Sequence, residues 1–278
     1  MRKIKIVADS SCDMLSLLGA ELDIAPMKVC TDEREFADDG SLDIEEMVSY
    51  LDKYKGRSRS SCPNAADWLK AFRDADDIYC LTITSGLSGS YNSANAAKKI
   101  YEEENEGKRV FVLDTLSTGP EMTLIMNKIA TLIAEGREYD EICTAAQEYS
   151  KKCGLVFMLK SLKNFANNGR ISPIVAKLIG IAGICIVGKA SDEGTLAPLH
   201  KCRGERRSFD SILAELAALG YAGGKISIGH CLNGAGAESL KALILEKYPN
   251  ADIEIHKLMG LCSFYAERGG ILVGFEKA

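Results

Sequence analysis

A loop rich in serine and glycine is the segment of this sequence best suited to bind a ligand. The run TSGLSGSY, residues 84–91, follows a predicted strand over 78–84 and opens a predicted helix over 88–103. In an open parallel sheet this is the carboxyl end of a strand, where ligands bind, and glycine there lets the backbone approach a ligand closely. Hydroxyl groups and helix N-terminal N–H groups can bind phosphate or carboxylate, with an ordinary helix N-cap at Ser88 as the alternative. The candidate ligand-binding residues of this loop are Ser85, Gly86, Ser88 and Gly89.

A second serine-rich segment, SRSSCPN at 58–64, precedes a predicted helix over 64–72. Asn64 and Asp67 have the spacing of a capping box, which explains Asn64 but leaves the two serines before it unexplained. Two hydroxyl-bearing loops that converge on one anion would form a more specific site than either loop alone. Ser60 and Ser61 are therefore further candidate ligand-binding residues, with a loop of no special function as the alternative.

No residues assemble into a recognisable catalytic or metal-binding set. The sequence GLSG at 86–89 is not the G-x-S-x-G of serine hydrolases, and neither a P-loop nor a convincing dinucleotide-binding motif is present. The 10 cysteines lack the spacing of zinc ligands and the 3 histidines are scattered, so we expect reduced, mostly buried thiols and no metal. The acidic pairs at 38–39 and 76–77 are predicted to be solvated turn residues.

Two basic segments stand out in a chain whose formal net charge is −5. The run NNGRIS at 167–172 is a predicted turn that exposes Arg170, and HKCRGERR at 200–207 contains Arg203, Arg206 and Arg207. A solvated charged face is the simple interpretation. The alternative is docking to an anionic membrane surface, a phosphorylated ligand or an acidic partner. The overall charge argues against a nucleic-acid partner.

The elements that must position these loops alternate along the chain. Predicted helices lie between most of the predicted strands. The strands are predicted at 4–8, 24–30, 78–84, 110–113, 155–159, 181–187 and 226–229. The helices are predicted at 44–54, 64–72, 88–103, 121–134, 139–153, 206–219 and 237–247. Such alternation predicts an α/β fold with a largely parallel sheet. Because the alternation of strands and helices changes near residue 155, we expect two domains. The N-terminal domain, 1–155, is expected to be a three-layer α/β/α domain that carries the serine-rich loops, and the C-terminal domain, 156–278, a two-layer α/β domain. A cytoplasmic protein is expected, since no apolar run has the length of a bilayer span or the form of a signal-peptide core.

Taken in order, these segments resemble the DegV family of bacterial fatty-acid-binding proteins over nearly the whole chain. IVADSS at 6–11 resembles the family's opening strand and Asp-Ser turn, and SSCPN at 60–64 resembles its Thr-Ser-x-Pro-Ser segment. SGLSGSYNSA at 85–94 matches the family's most specific motif almost letter for letter. VLDT at 112–115 and GRIS at 169–172 resemble two later motifs.

The resemblance implies a two-domain α/β carrier that buries a long acyl chain between its domains. The carboxylate would be held by hydroxyls of the first two motifs, here Ser60 and Ser85, with Ser61 and Ser88 as neighbours. The family's C-terminal segment usually carries a histidine, whereas SFYAERGG at 263–270 has none, and Tyr265 is expected to supply a hydroxyl in its place.

The resemblance also implies a protein that is not itself a catalyst and needs no cofactor. Such carriers present the fatty acid to a separate fatty acid kinase for phospholipid synthesis. The basic residues Arg170, Arg203, Arg206 and Arg207 are then expected to serve ligand exchange, through the kinase or through transient contact with a membrane surface. The alternative function is an α/β enzyme that acts on a small phosphorylated substrate at the same loops.

Overall fold

The structure, a computed structural model, describes residues 2–171 and 183–278. The strands are β1 (Ile4–Asp9), β2 (Leu22–Ala25), β3 (Lys28–Cys30), β4 (Glu35–Ala37), β5 (Arg59–Ser61), β6 (Asp77–Thr82), β7 (Arg109–Asp114), β8 (Cys153–Leu159), β9 (Ile184–Ala190), β10 (Leu196–Arg203), β11 (Lys225–His230), β12 (Asp252–Lys257) and β13 (Ile271–Glu276). The helices are α1 (Ile44–Lys53), α2 (Ala65–Phe72), α3 (Ser90–Glu104), α4 (Pro120–Ala134), α5 (Tyr139–Lys151), α6 (Lys163–Asn167), α7 (Glu205–Ala218), α8 (Gly234–Lys247) and α9 (Gly260–Ala266). Ser172 of the predicted turn, and Ile181 and Ala182 at the start of a predicted strand, lie outside the described residues.

The first sheet contains four parallel strands in the order β2-β1-β6-β7. Successive side chains of a strand point to opposite faces of the sheet. On β1, Ile6 and Ala8 pack in a cluster with residues of α4 and α5, whereas Val7 packs with residues of α2 and α3. Helices therefore cover both faces, and the predicted three-layer α/β/α arrangement is confirmed.

The second sheet contains six strands in the order β10-β9-β8-β13-β11-β12 and is antiparallel except between β11 and β12. On one face, Val156 and Met158 pack with Phe209 and Ile212 of α7 and Leu240 of α8. The opposite face turns toward the parallel sheet. This arrangement confirms the predicted α/β fold class, although the second sheet is not parallel.

Helix α4 connects the two sheets, since it packs on β6 and also on β8, β11 and β13. Its first residue, Pro120, lies directly on β13, where a Cβ at Gly274 would collide with the Pro120 backbone. Strand β8 spans residue 155 and pairs only within the six-stranded sheet. The division into 1–155 and 156–278 stays a prediction.

The strand predicted over 24–30 was wrong, because the segment forms two strands that belong to different sheets. Strand β2 pairs with β1, and β3 pairs with β4 and β5 in a small antiparallel sheet. Pro26 lies between them and has no N–H to donate to a ladder, so it interrupts the strand. Strands β4, β5, β10, β12 and β13 and helices α6 and α9 were not predicted.

The acidic pairs were also predicted wrongly in part, because one member of each is buried. Asp38 is 1% exposed and Asp77 is 3% exposed. Burial alone would raise the pKa of Asp77, but hydrogen bonds from Arg109 and Arg2 lower it below its ordinary value. Within the described residues all ten cysteines are free and seven are buried. No helix within 2–171 or 183–278 is long and apolar enough to cross a membrane.

Candidate functional site

A cavity of about 280 Å³ lies between the carboxyl edge of the parallel sheet, helix α9 and the inner face of the six-stranded sheet. Its walls are mainly apolar, because β8 directs every second side chain toward it. The main apolar residues are Ile83, Leu155, Phe157, Leu159, Leu196 and Leu272. An apolar wall of this kind suits a hydrocarbon chain better than a polar metabolite.

Hydroxyl groups from separate elements line one region of this cavity. Ser60 of β5 hydrogen-bonds through Oγ to the hydroxyl of Tyr265 on α9, with 2.7 Å between the oxygens. Whichever hydroxyl donates, the other keeps its own proton for a third group. Burial raises the pKa of Tyr265, so its hydroxyl is protonated at neutral pH. The pair can therefore donate to an anion.

The two serine-rich loops meet as the sequence predicts. Ser61, Ser88 and Gly89 line the same cavity as Ser60. The loops are joined by Ser93, whose Oγ donates to the carbonyl oxygen of Pro63 at 2.7 Å. Four of the six predicted ligand-binding residues are thus brought together.

Ser85 and Gly86 have a different environment and do not line the cavity. Ser85 is exposed, and its backbone N–H donates to Asp114 Oδ1 at 3.1 Å. Gly86 faces the turn between β9 and β10, where an added Cβ would lie 2.5 Å from the carbonyl oxygen of Glu193. Gly86 therefore lets this turn close against the loop, and Thr84 takes a place in the lining instead.

Arg170 also lines the cavity beside Tyr265. Its guanidinium carbon is 5.6 Å from the centre of the Tyr265 ring, and its Nε donates to the carbonyl oxygen of Leu87 at 3.0 Å. A second bond joins its Nη1 to the carbonyl oxygen of Asn168 at 3.0 Å. Arg170 thus connects the serine–glycine loop to the segment that follows α6, and the turn does not simply expose it.

The other three predicted arginines are not among the residues that line the cavity. Arg203 ends β10, and Arg206 and Arg207 are exposed on α7, where Arg206 pairs with Asp210 at 3.5 Å. Helix α7 covers the face of the six-stranded sheet opposite to the cavity. The sheet therefore separates Arg206 and Arg207 from Arg170, whereas Arg203 lies opposite Ile184 of β9, which packs on the cavity side of the sheet.

A buried aspartate that the sequence analysis did not single out fixes the serine–glycine loop. Asp9 Oδ2 accepts hydrogen bonds from the N–H of Ile83 at 2.9 Å and from the hydroxyl of Ser90. Its Oδ1 accepts from the N–H and the hydroxyl of Ser11. Burial raises the pKa of Asp9, although these hydrogen bonds oppose the shift. The sequence signals were the position of Asp9 at the end of a buried strand and the Asp-Ser turn of the IVADSS segment.

No acid–base or metal-binding set accompanies the hydroxyl groups. Among the residues that the structure describes, the cavity is lined by no carboxylate and no histidine, and Arg170 is its one charged group. Over the same residues, no three His, Cys, Asp or Glu side chains are grouped as metal ligands. The arrangement can bind an anion attached to an apolar group.

The family model described as "Uncharacterised protein, DegV family" matches residues 3–277. The chain belongs to the DegV family. A DegV family protein from Eubacterium eligens, loaded with heptadecanoic acid, has 44% sequence identity and a TM-score of 0.97, and the match covers 99% of this chain and 100% of that chain.

Two further relatives are similar over their whole length. The Fatty Acid Kinase (Fak) B3 protein of Streptococcus pneumoniae, loaded with linoleic acid, has 39% identity and a TM-score of 0.96, with 99% of this chain and 100% of that chain covered. A DegV domain-containing protein of Streptococcus gordonii is 40% identical over 276 residues, covering 98% of each chain. The DegV resemblance inferred from the sequence motifs is thereby confirmed.

Replacing Gly86 with alanine tests the contact between the loop and the β9–β10 turn. Because the new Cβ would lie 2.5 Å from the Glu193 carbonyl oxygen, the turn must move, and the free energy of unfolding should fall by about 1–3 kcal/mol. Denaturant unfolding measures the loss, and amide hydrogen exchange at 191–195 should become faster. The matched control is Gly234→Ala, whose Cβ meets nothing closer than 3.7 Å. Equal stability of the two variants would contradict this role of Gly86.

Proposed function

We propose that this DegV family chain is a carrier that binds one long-chain fatty acid. The carboxylate binds at the Ser60–Tyr265 pair, with Ser61, Ser88 and Gly89 beside it, and the acyl chain fills the apolar part of the cavity. The observation that carries the proposal is the cavity itself, which is apolar over most of its wall and bears neutral hydroxyl donors in one region. Relatives of 44% and 39% identity hold heptadecanoic and linoleic acid.

The energetics divide between the chain and the head group. Burial of about 14 methylenes at ~0.8 kcal/mol each offers on the order of 11 kcal/mol before the costs of association. A hydrogen bond to the charged carboxylate adds about 1.5–3 kcal/mol. Chain burial therefore supplies most of the affinity, and the hydroxyls select acids over esters.

We propose further that the chain presents its fatty acid to a fatty acid kinase and does not catalyse the reaction. Support comes from the 39% identical relative, which is the B3 protein of such a kinase. The absence of a carboxylate or histidine from the described cavity lining agrees with a carrier role. It also disfavours an enzyme acting on a small phosphorylated substrate, which needs a polar pocket with a placed acid or base.

We place the carrier in the cytoplasm, where its ten free cysteines suit a reducing environment.

Arg203, Arg206 and Arg207 are assigned to docking, either to the kinase or transiently to an anionic membrane surface. Their exposure on one end of the C-terminal sheet, in a chain of net charge −5, supports this role. Arg170 lies at the hydroxyl region, where a docked partner would meet the carboxylate.

The direct test of the carrier function is to identify and quantify the lipid that is bound to the purified protein. Protein expressed in bacteria should carry one fatty acid per chain, because an apolar cavity of this size favours retention of its ligand through purification. Native mass spectrometry before extraction and lipid analysis after denaturation measure the stoichiometry. Recovery of only trace, mixed lipid that washes out readily would overturn the proposal.

Substitutions in the hydroxyl region test the head-group assignment. Ser60→Ala and Tyr265→Phe should each weaken binding of the free acid by about tenfold to a hundredfold, since each removes one of the two hydroxyls whose mutual hydrogen bond directs the remaining proton to the carboxylate. Binding of the methyl ester should change little. Titration with a fluorescent fatty acid and with its ester measures both affinities.

Ser85→Ala is the matched comparison, because the sequence motif assigns Ser85 to the carboxylate. Its exposed position outside the cavity lining leads us to expect unchanged affinity for the acid. A loss as large as that of Ser60→Ala would move the head group to Ser85.

Neutralising the exposed arginines tests docking. The triple variant with Arg203, Arg206 and Arg207 changed to glutamine should slow transfer of fatty acid to anionic vesicles or to the kinase by about tenfold, with equilibrium affinity preserved. Arg170→Ala should also slow transfer. The control triple variant changes Lys70, Arg73 and Lys99 to glutamine on the N-terminal helices. Transfer that is insensitive to salt, or a loss of affinity like that of Ser60→Ala, would contradict the docking role.

A further inference from the structure

Helix α9 carries Tyr265 but is held in place by carboxylates from the N-terminal part of the chain. Asp38 Oδ1 accepts the N–H of Gly260 at 2.8 Å, and Asp38 Oδ2 accepts the N–H of Leu261 at 2.9 Å. Asp13 Oδ1 accepts the N–H of the preceding residue, Met259, at 2.6 Å. The first turn of a helix has no intrahelical partners for these N–H groups, so the aspartates are their partners.

The Asp38 contact fixes the rotation of the helix as well as its end. Apolar packing of α9 on its neighbours is non-directional, whereas two N–H groups held by the two oxygens of one carboxylate allow little rotation about the helix axis. A negative charge at a helix N-terminus is also electrostatically favourable. Tyr265 lies four residues beyond Leu261, so it follows any rotation of this first turn.

The same small sheet holds both contacts of α9. Asp38 directly follows β4, and Ser60 lies on β5; both strands pair with the central strand β3, where Val29 is opposite Phe36 and Ser60. The N–H of Asp38 also donates to the carbonyl oxygen of Met27 at 2.9 Å, which fixes it to the loop before β3. The sheet thus sets the distance between the helix cap and the partner of the Tyr265 hydroxyl.

We infer that Asp38 is a positioning residue for the head-group site: it orients α9 so that the Tyr265 hydroxyl meets Ser60. The inference rests on the proposed head-group role of the Ser60–Tyr265 pair. Asp38 does not line the cavity, so it acts through the helix and not by contact with the ligand. Gly260 allows this contact, because an added Cβ would lie 2.8 Å from Asp38 Oδ1 and 2.7 Å from Leu42 Cδ2.

A double-mutant cycle between Asp38→Asn and Tyr265→Phe tests this inference. The oxygen of an asparagine amide can accept a hydrogen bond from one of the two N–H groups, but the amide presents its own NH₂ donor to the other. Asp38→Asn should therefore disturb the cap and weaken binding of the free acid by about tenfold. In the Tyr265→Phe background, Asp38→Asn should cause no further loss. Binding of the methyl ester should stay within about twofold in every variant. Fluorescence titrations measure each affinity on protein whose folding is checked by thermal unfolding.

Two further variants complete the design. Asp39→Asn, at the exposed neighbouring aspartate, should leave both affinities unchanged. Gly260→Ala keeps the Asp38 carboxylate but forces it away from the helix, so it should cause the same selective loss of acid binding. If Asp38→Asn does not fold, Gly260→Ala takes its place in the double-mutant cycle.

The outcomes distinguish failure of the head-group assignment from failure of the positioning role of Asp38. If Tyr265→Phe leaves acid affinity intact, the head-group assignment fails, and the positioning role fails with it. If Tyr265→Phe weakens acid binding but the two changes are fully additive, or if Asp38→Asn weakens acid and ester alike, only the inference about Asp38 fails.

Discussion

Three buried carboxylates at one edge of the parallel sheet determine where the loops around the cavity lie. A buried carboxylate costs several kcal/mol unless hydrogen-bond donors surround it, so it accepts few arrangements of its neighbours. Asp9 receives donors from residues 11, 83 and 90, and the two oxygens of Asp38 receive N–H groups at the start of α9. Asp13 accepts the N–H of Met259 at Oδ1, its buried Oδ2 has no hydrogen-bond partner among the described residues, and burial raises its pKa well above the ordinary value. Both the serine–glycine loop and the helix that carries Tyr265 therefore depend on fixed acidic partners.

The cavity exists because two different kinds of sheet meet. The parallel sheet contributes loop ends rich in hydroxyls, as the carboxyl ends of parallel strands do. The antiparallel sheet contributes a flat apolar face, since every second residue of β8 points to it. Between them, Gly86 admits the β9–β10 turn and Gly274 admits Pro120, so the sheets approach closely at both ends. A site that is polar in one region and apolar elsewhere follows from this combination.

Much of the fold and of the candidate site could be predicted from the local sequence. The features that could not be predicted depend on residues that are distant in the chain. The alternation of strands and helices and the Ser60 and Ser88 motifs are local patterns, and they led to the correct fold class and to one cavity. Edge strands β10 and β12 were missed because they contain hardly any buried residues, which weakens the apolar pattern. The burial of Asp38 was missed because its partners, Gly260 and Leu261, are more than 220 residues away in the chain.

The proposed use of hydroxyls as head-group donors is consistent with the proposed transfer of the fatty acid to a partner. A guanidinium fork binds a carboxylate with two charge-assisted bonds and strong geometric preference, which favours retention. Ser60 and Tyr265 are neutral, and they already satisfy each other with one hydrogen bond, so loss of the ligand leaves neither hydroxyl without a partner. The guanidinium of Arg170 is nearby, but two of its nitrogens donate to the backbone at Leu87 and Asn168. Release of the carboxylate from the proposed site would therefore cost less than release from an arginine clamp, and burial of the acyl chain would keep the complex intact until a partner removes the ligand.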